Sequence, residues 1–305
     1  MEVISSKNRL RRQPILDKTA AIYRRLGIIQ GRLSPAVDNK IQSFPKGQWQ
    51  NEFLLCKELG ISCIEWIFEY DGAGNNPLCS DSGIREMLRV QQQYGVVINS
   101  VLADYFMVKK LFSEDKKETE EAISTLNFII TQCQLCHIPI IEIPFVDSSS
   151  LNTEKDKERA VHNLKQPLRY AQECGIKISM ETSLAPKEFK GFIHALDSSA
   201  VGANYDTGNS ASLGYDPYEE IDVLGEYIVN VHIKDRLKAA GTVPLGCGDT
   251  DFSAVFKALK AKNYRGDFML QGARQYLEGL ETKKDIKETI CSYINFVKPF
   301  LREFA

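Results

Sequence analysis

Four polar residues stand where apolar runs end. Glu181 closes "KISMET", Asp206 closes "GANYD", His232 lies in "VNVHI" and Gln271 follows "FML". Successive strand residues point to opposite faces, so each run can be sorted. Ser179 shares a face with Glu181, Asn204 with Asp206, Asn230 with His232 and Met269 with Gln271. The other face carries Ile178, Met180, Ala203, Tyr205, Val229, Val231, Ile233, Phe268 and Leu270, which suits packing under helices. Two carboxylates, an imidazole and an amide oxygen brought to one place form either a divalent-metal site or a hydrogen-bonded polar layer. The metal reading predicts one ion on Glu181, Asp206, His232 and Gln271. Mixed oxygen and nitrogen ligands with no thiolate suit Mn²⁺, Co²⁺, Zn²⁺ or Mg²⁺.

Such convergence needs a fold that gathers strand ends. Eight strand-like runs recur along the chain, at 26–33, 59–69, 94–106, 138–147, 174–182, 201–209, 228–235 and 268–274. Nearly all are separated by helical spacing, as in Ala160, Val161, Leu164, Leu168 and Ala171. A last helix, around Ile286, Ile290, Ile294 and Val297, closes the series. Three helix-like segments end on glycine (Gly60, Gly95 and Gly175), the residue that best tolerates the left-handed position past a helix. Eight such units predict an α/β fold, a single (β/α)8 TIM barrel over residues 26–305, with its chemistry at the C-terminal ends of the strands. No G-x-G-x-x-G follows the first strand, which argues against a dinucleotide fold.

The chain has 305 residues, 43% of them hydrophobic and 26% charged, and a net charge of −2. That balance excludes a general nucleic-acid binder, and no apolar run approaches the roughly 20 residues of a membrane span. Residues 1–25 are set apart as a basic N-terminal extension without the apolar core of a secretory signal. The eight scattered cysteines are then expected to be reduced thiols of a cytoplasmic protein. Cys133, Cys136 and His137 spell a haem-attachment pattern, but Cys133 belongs to the helical stripe of Ala122, Leu126, Ile129 and Ile130, so a structural role is expected.

Glu181 in "SMET", "DTGN" at 206–209, "HIKD" at 232–235 and the polar end of "FMLQG" resemble the xylose-isomerase-like TIM barrels of the sugar (phosphate) isomerase/epimerase group. "GRL" at 31–33 and "LGCGDTDF" at 245–252 fit the same style, and the resemblance spans roughly residues 26–300. It implies a small carbohydrate substrate and one metal held by Glu, Asp, His and a second Glu, the two glutamates serving as acid and base. The first three fall on Glu181, Asp206 and His232. The fourth position is Gln271, which can ligate but cannot carry a proton at neutral pH. With Glu181 as sole base, the expected activity is metal-dependent isomerisation of a sugar or sugar phosphate through an enediolate. Ketose 3-epimerisation, inosose-type dehydration and a non-catalytic sugar-binding role are the alternatives. The DNA-endonuclease branch needs several site histidines. Here only His232 ends a strand, and Asn209 stands where that branch carries a histidine.

Other residues are expected to shape the substrate pocket. Loops after the last two strands of barrels often hold phosphate, which points to Lys234, Arg236 and Arg274. Asn209 and the backbone N–H groups of Gly246 and Gly248 are further candidates, the alternative for the glycines being a turn into a helix capped by Asp249 or Asp251. Arg32, Trp66 and Glu69 are expected on the opposite wall, with barrel packing as the alternative for Trp66. Homo-oligomerisation is left open.

Overall fold

The computed structural model describes residues 25–274 and 285–304. The strands are β1 (Leu26–Ile29), β2 (Cys63–Ile67), β3 (Val97–Leu102), β4 (Ile140–Phe145), β5 (Lys177–Thr182), β6 (Val201–Asp206), β7 (Ile228–Ile233) and β8 (Phe268–Leu270). All pair in parallel and close as a barrel in the order β1-β8-β7-β6-β5-β4-β3-β2. Around it lie α1 (Trp49–Leu59), α2 (Asp81–Tyr94), α3 (Lys116–Cys136), α4 (Glu154–Glu173), α5 (Pro186–Leu196), α6 (Pro217–Leu224), α7 (Phe252–Ala261) and α8 (Ile286–Leu301). The expected single TIM barrel is therefore the observed fold. Residues 1–24 of the predicted basic extension lie outside the described residues. Arg25 belongs to the barrel: its guanidinium donates to the Gly266 carbonyl and lies over the rings of Tyr264, Phe268 and Phe304.

Local chemistry explains where the elements stop. Gly60, Gly95 and Gly175 adopt φ of 74°, 69° and 70°, the left-handed geometry that turns a helix end toward the next strand. His137 takes that position after α3 at φ 58°, so the His of the haem-like pattern ends a helix, and Cys133 and Cys136 are buried free thiols. Starts are capped by side chains: Asp115 accepts from the Lys117 and Glu118 N–H groups, and Thr153 with Asp156 forms a reciprocal capping box on α4.

Alternation along the strands builds two shells. Outward residues pack under the helices. Phe268 stacks on Phe256 of α7 at 5.2 Å, and Trp66 lies edge-on to Trp49 of α1 at the same separation. The inward residues Glu65, Ser100, Glu142, Ser179, Asn204, Asn230 and His232 are polar and at most 3% exposed. A core this polar needs its groups matched to one another, because an unpaired buried polar atom is costly. Among the described residues, no helix is long and apolar enough to cross a membrane.

Candidate active site

Glu181 is the penultimate residue of β5, and Asp206 is the last of β6. Asp206 also caps the short helix Thr207–Leu213, its Oδ1 accepting from the Gly208 and Asn209 N–H groups at 2.9 and 2.8 Å. The cap fixes the carboxylate, leaving Oδ2 beside Lys234 Nζ at 3.3 Å. It also places Asn209 one turn into that helix, where its amide donates to Glu181 Oε1. "DTGN" is thus one local unit that orients two carboxylates.

His232 on β7 divides its ring between two neighbourhoods. Nδ1 faces Glu181 Oε2 at 3.7 Å and the Asn204 amide at 3.1 Å. Nε2 lies 2.7 Å from Glu65 Oε2. Glu65 is held in turn by Ser100 Oγ at 2.7 Å and the Asn230 amide at 2.9 Å, both on Oε1. Burial lowers the imidazole pKa, but the Glu65, Glu181 and Asp206 charges outweigh it and hold the group at about 9. Burial, and then the Asp206 charge, push the Glu181 carboxyl up; His232 and Lys234 offset part of that.

Ligand atoms of Glu181, Asp206 and His232 all lie within 4.8 Å of one another. Gln271 extends the β8 ladder by one more bond, its N–H donating to Ile233 at 2.9 Å. Its amide Nε2 donates to Gln42 Oε1, which leaves Gln271 Oε1 buried with no partner. An orphaned acceptor in the same cavity as Glu181 is what a fourth ligand position requires. The donor set therefore fits a divalent cation, with Glu65 as the carboxylate that fixes the histidine ring from behind.

A cavity of about 290 Å³ opens over this floor. Its wall includes Arg32, Gln42, Asp104, Asn209, Lys234 and Gln271. Arg32 is nonetheless tied to the protein, donating to the carbonyls of Gly272 and Ile41 and to Gln42 Oε1. Burial, then the nearby Arg274 charge, lower its pKa to about 9. Arg274 donates to the carbonyls of Ile41 and Ser34, so both guanidinium groups hold the loop after β1. Arg236 donates to Asn209 Oδ1 at 2.8 Å and to Ala240.

Three expected pocket groups sit elsewhere. Trp66 points outward from β2, fully buried, with its indole N–H on Asn76. Glu69 accepts from Ser43 Oγ and the Phe44 N–H, anchoring the same β1 loop. The N–H groups of Gly246 and Gly248 both point at Asp235 Oδ2, at 2.8 and 2.9 Å, rather than into the cavity. Asp235 also takes the Thr250 N–H, and Asp251 caps α7 through the Ala254 N–H, so this glycine loop is a structural turn.

The sequence reading missed Gln42, Glu65, Asp104 and Glu142. Alternation in "CIEWI" turns Glu65 inward and alternation in "IIEIPF" turns Glu142 inward, so a signal existed for both. Glu142 is fully buried, its carboxyl set against Glu181 and 3.9 Å from His232 Nε2. Burial first, then the Glu181, Glu65 and Asp104 charges, raise its pKa well above the usual carboxylate range.

A parallel barrel that presents carboxylates, an imidazole and an amide oxygen at the ends of β5 to β8 carries its candidate chemistry where TIM-barrel enzymes do, at the C-terminal face. The chain belongs to the xylose isomerase-like TIM barrel family, which matches residues 53–290. Among curated proteins it is 23% identical to the L-ribulose-5-phosphate 3-epimerase UlaE of Escherichia coli (strain K12), over 75% of this chain and 84% of that one. Among solved structures, the D-psicose 3-epimerase of Clostridium cellulolyticum H10 superposes with a TM-score of 0.72 at 15% identity, covering 91% of this chain and 99% of that one. The IolI protein with a bound zinc atom gives a TM-score of 0.72 at 17% identity, over 92% and 99%.

Proposed function

We propose that the protein is a metal-dependent enzyme that interconverts sugars or sugar phosphates through an enediolate, with Glu181 as the base. The observation that carries this reading is the cluster of Glu181, Asp206 and His232, within 4.8 Å, whose Glu181 lines a cavity together with Gln271 and its orphaned oxygen. Glu181, Asp206, His232 and Gln271 would hold the ion. An ion held there would supply Lewis-acid polarisation of a substrate oxygen.

The chain's own residues do the rest. Glu181 takes the proton beside the carbonyl, and its raised pKa suits a group that must both accept and return a proton. Asn209 holds its other oxygen in place. Of the two positions that the resemblance assigns to acid and base, Glu181 and Gln271, only Glu181 can carry a proton, which on its own suits aldose–ketose isomerisation on one face. A second reading, 3-epimerisation, is favoured by a further carboxyl on the cavity wall, Asp104. The epimerase relative at 23% identity supports the same substrate class. Lys234 on the wall is compatible with a phosphorylated sugar.

The test is a panel of ketoses, aldoses and their phosphates, assayed with added Mn²⁺ or Co²⁺. Turnover that requires the metal and is lost in Glu181→Gln supports the reading. Metal-independent turnover, or full activity in the variant, overturns it.

A further inference from the structure

The enediolate reading leaves the site one proton-carrying group short for inversion of a carbon, and the cavity contains a carboxyl with no other duty. Asp104 follows the end of β3 and lines the same cavity as Glu181 and Gln271. In the closed strand order β3 lies two strands from β5, with β4 between them, so Asp104 and Glu181 reach the one cavity from separate strand ends. Asp104 precedes the short helix Tyr105–Val108 but caps none of its N–H groups. The one described hydrogen bond of its carboxylate is from Gln42 Nε2 to Oδ2, at 2.8 Å. The other carboxyl-bearing wall residue on that side, Asp147, is solvent-exposed at the rim.

The Gln42 amide explains how this carboxyl is aimed. Arg32 can only donate, so the Gln42 atom facing it is the oxygen. The amide nitrogen is thereby turned to Asp104, and the same oxygen accepts from Gln271. One amide therefore sets the orientation of the fourth ligand and of the Asp104 carboxyl together.

We propose that Asp104 is the second proton-transfer residue of this site, acting on the face of the substrate opposite Glu181, so that the protein inverts the C3 centre of a ketose. The proposal rests on the enediolate reading above. The C3–H bond breaks as its proton passes to a Glu181 oxygen, and the bonding pair enters the enediolate. A proton from the Asp104 carboxyl then forms the new C3–H bond on the other face, its O–H pair remaining on the carboxylate. The two residues have exchanged protonation states, and exchange with water restores them. Burial, then the Glu181, Glu69 and Glu65 charges, raise the Asp104 carboxyl to about 6 against the Gln42 hydrogen bond, so both forms are accessible near neutrality.

The test is incubation of the full chain with Mn²⁺ and D-psicose, L-ribulose or L-ribulose 5-phosphate in D₂O, followed by NMR. The native protein is expected to incorporate deuterium at C3 and to form the 3-epimer. Asp104→Asn should keep C3 exchange within about tenfold, with retained configuration, and lose roughly 10²-fold or more of epimer formation. Glu181→Gln should lose both. Asp104→Ser serves as a second variant, and unchanged Mn²⁺ stoichiometry certifies the fold of each. Epimer formation at the native rate in Asp104→Asn and Asp104→Ser, or exchange without inversion by the native chain, overturns the Asp104 role and leaves the enediolate reading intact. No exchange with any of these sugars overturns the enediolate reading and this proposal with it.

Discussion

Gln271 donates its amide N–H to Gln42 Oε1 at 3.1 Å, and this one bond decides which end of the Gln271 side chain is free. Reversing the amide would set two oxygens against each other. With Gln42 removed, Gln271 loses that orientation. Gln42→Leu should weaken Mn²⁺ binding roughly tenfold, in line with other groups that orient ligands. Calorimetric titration reads it directly, and native affinity in the variant would show that Gln42 is dispensable for the ligand.

The same geometry predicts a gain. Gln271→Glu places a negative oxygen where a neutral one stands and should tighten Mn²⁺ binding relative to the native chain. His232→Ala should reduce a stoichiometry of one ion per chain to near zero at micromolar metal. Elemental analysis after dialysis checks both, and a fully loaded His232→Ala protein would sink the assignment.

Glu65 controls the ring tautomer. With Nε2 2.7 Å from a carboxylate oxygen, the proton that the ring keeps on binding a metal belongs on Nε2, and Nδ1 is the nitrogen that would take the ion. Glu65→Gln can present an N–H to Nε2 and move the ring proton to Nδ1. The expected result is a 10- to 100-fold loss of metal affinity with an unchanged circular dichroism spectrum. Native affinity would mean that the ring keeps its tautomer by other contacts.

Glu220 gives a pH-dependent stability. Its buried carboxyl is raised to about 7 from 4.5, chiefly by burial, while hydrogen bonds with Ser210 and Tyr205 oppose the shift. A raised acid binds its proton more tightly folded than unfolded. Its contribution is therefore complete below about pH 4.5 and is lost as pH rises through about 7. The shift corresponds to a loss on the order of 3 kcal/mol across that window. Glu220→Gln should flatten the decline, as read by urea unfolding at pH 5, 6, 7 and 8; parallel native and variant profiles would rule out this source.

The barrel was legible because its signals are local and repeated: an apolar run eight times over, three of them straight after a helix that ends on glycine. Glu181, Asp206 and His232 were legible for the same reason, since each lies at the end of an alternating strand. Gln42 was not, because it sits in the β1 loop, where no periodicity fixes which side chain turns inward. Asp104 was hidden similarly, two residues beyond its strand. Gly246 and Gly248 misled for a different reason. Glycine spacing reports a tight turn, and only Asp235, buried beside it, determines what the turn's N–H groups face. In β2, alternation separates inward Glu65 from outward Trp66, while Glu69 lies two residues beyond the strand, where alternation no longer fixes its side.

Arg32 and Arg274 both close on the Ile41 carbonyl, fastening the loop after β1 from two buried anchors. That loop forms one wall of the cavity. On the proposed function, sugar is expected to pass over the other side of the mouth, by exposed Asp147 and the turn near Thr242. Entry and exit on that route need no opening of the segment that carries Gln42, so the ligand-orienting amide keeps its place through every exchange of product for substrate.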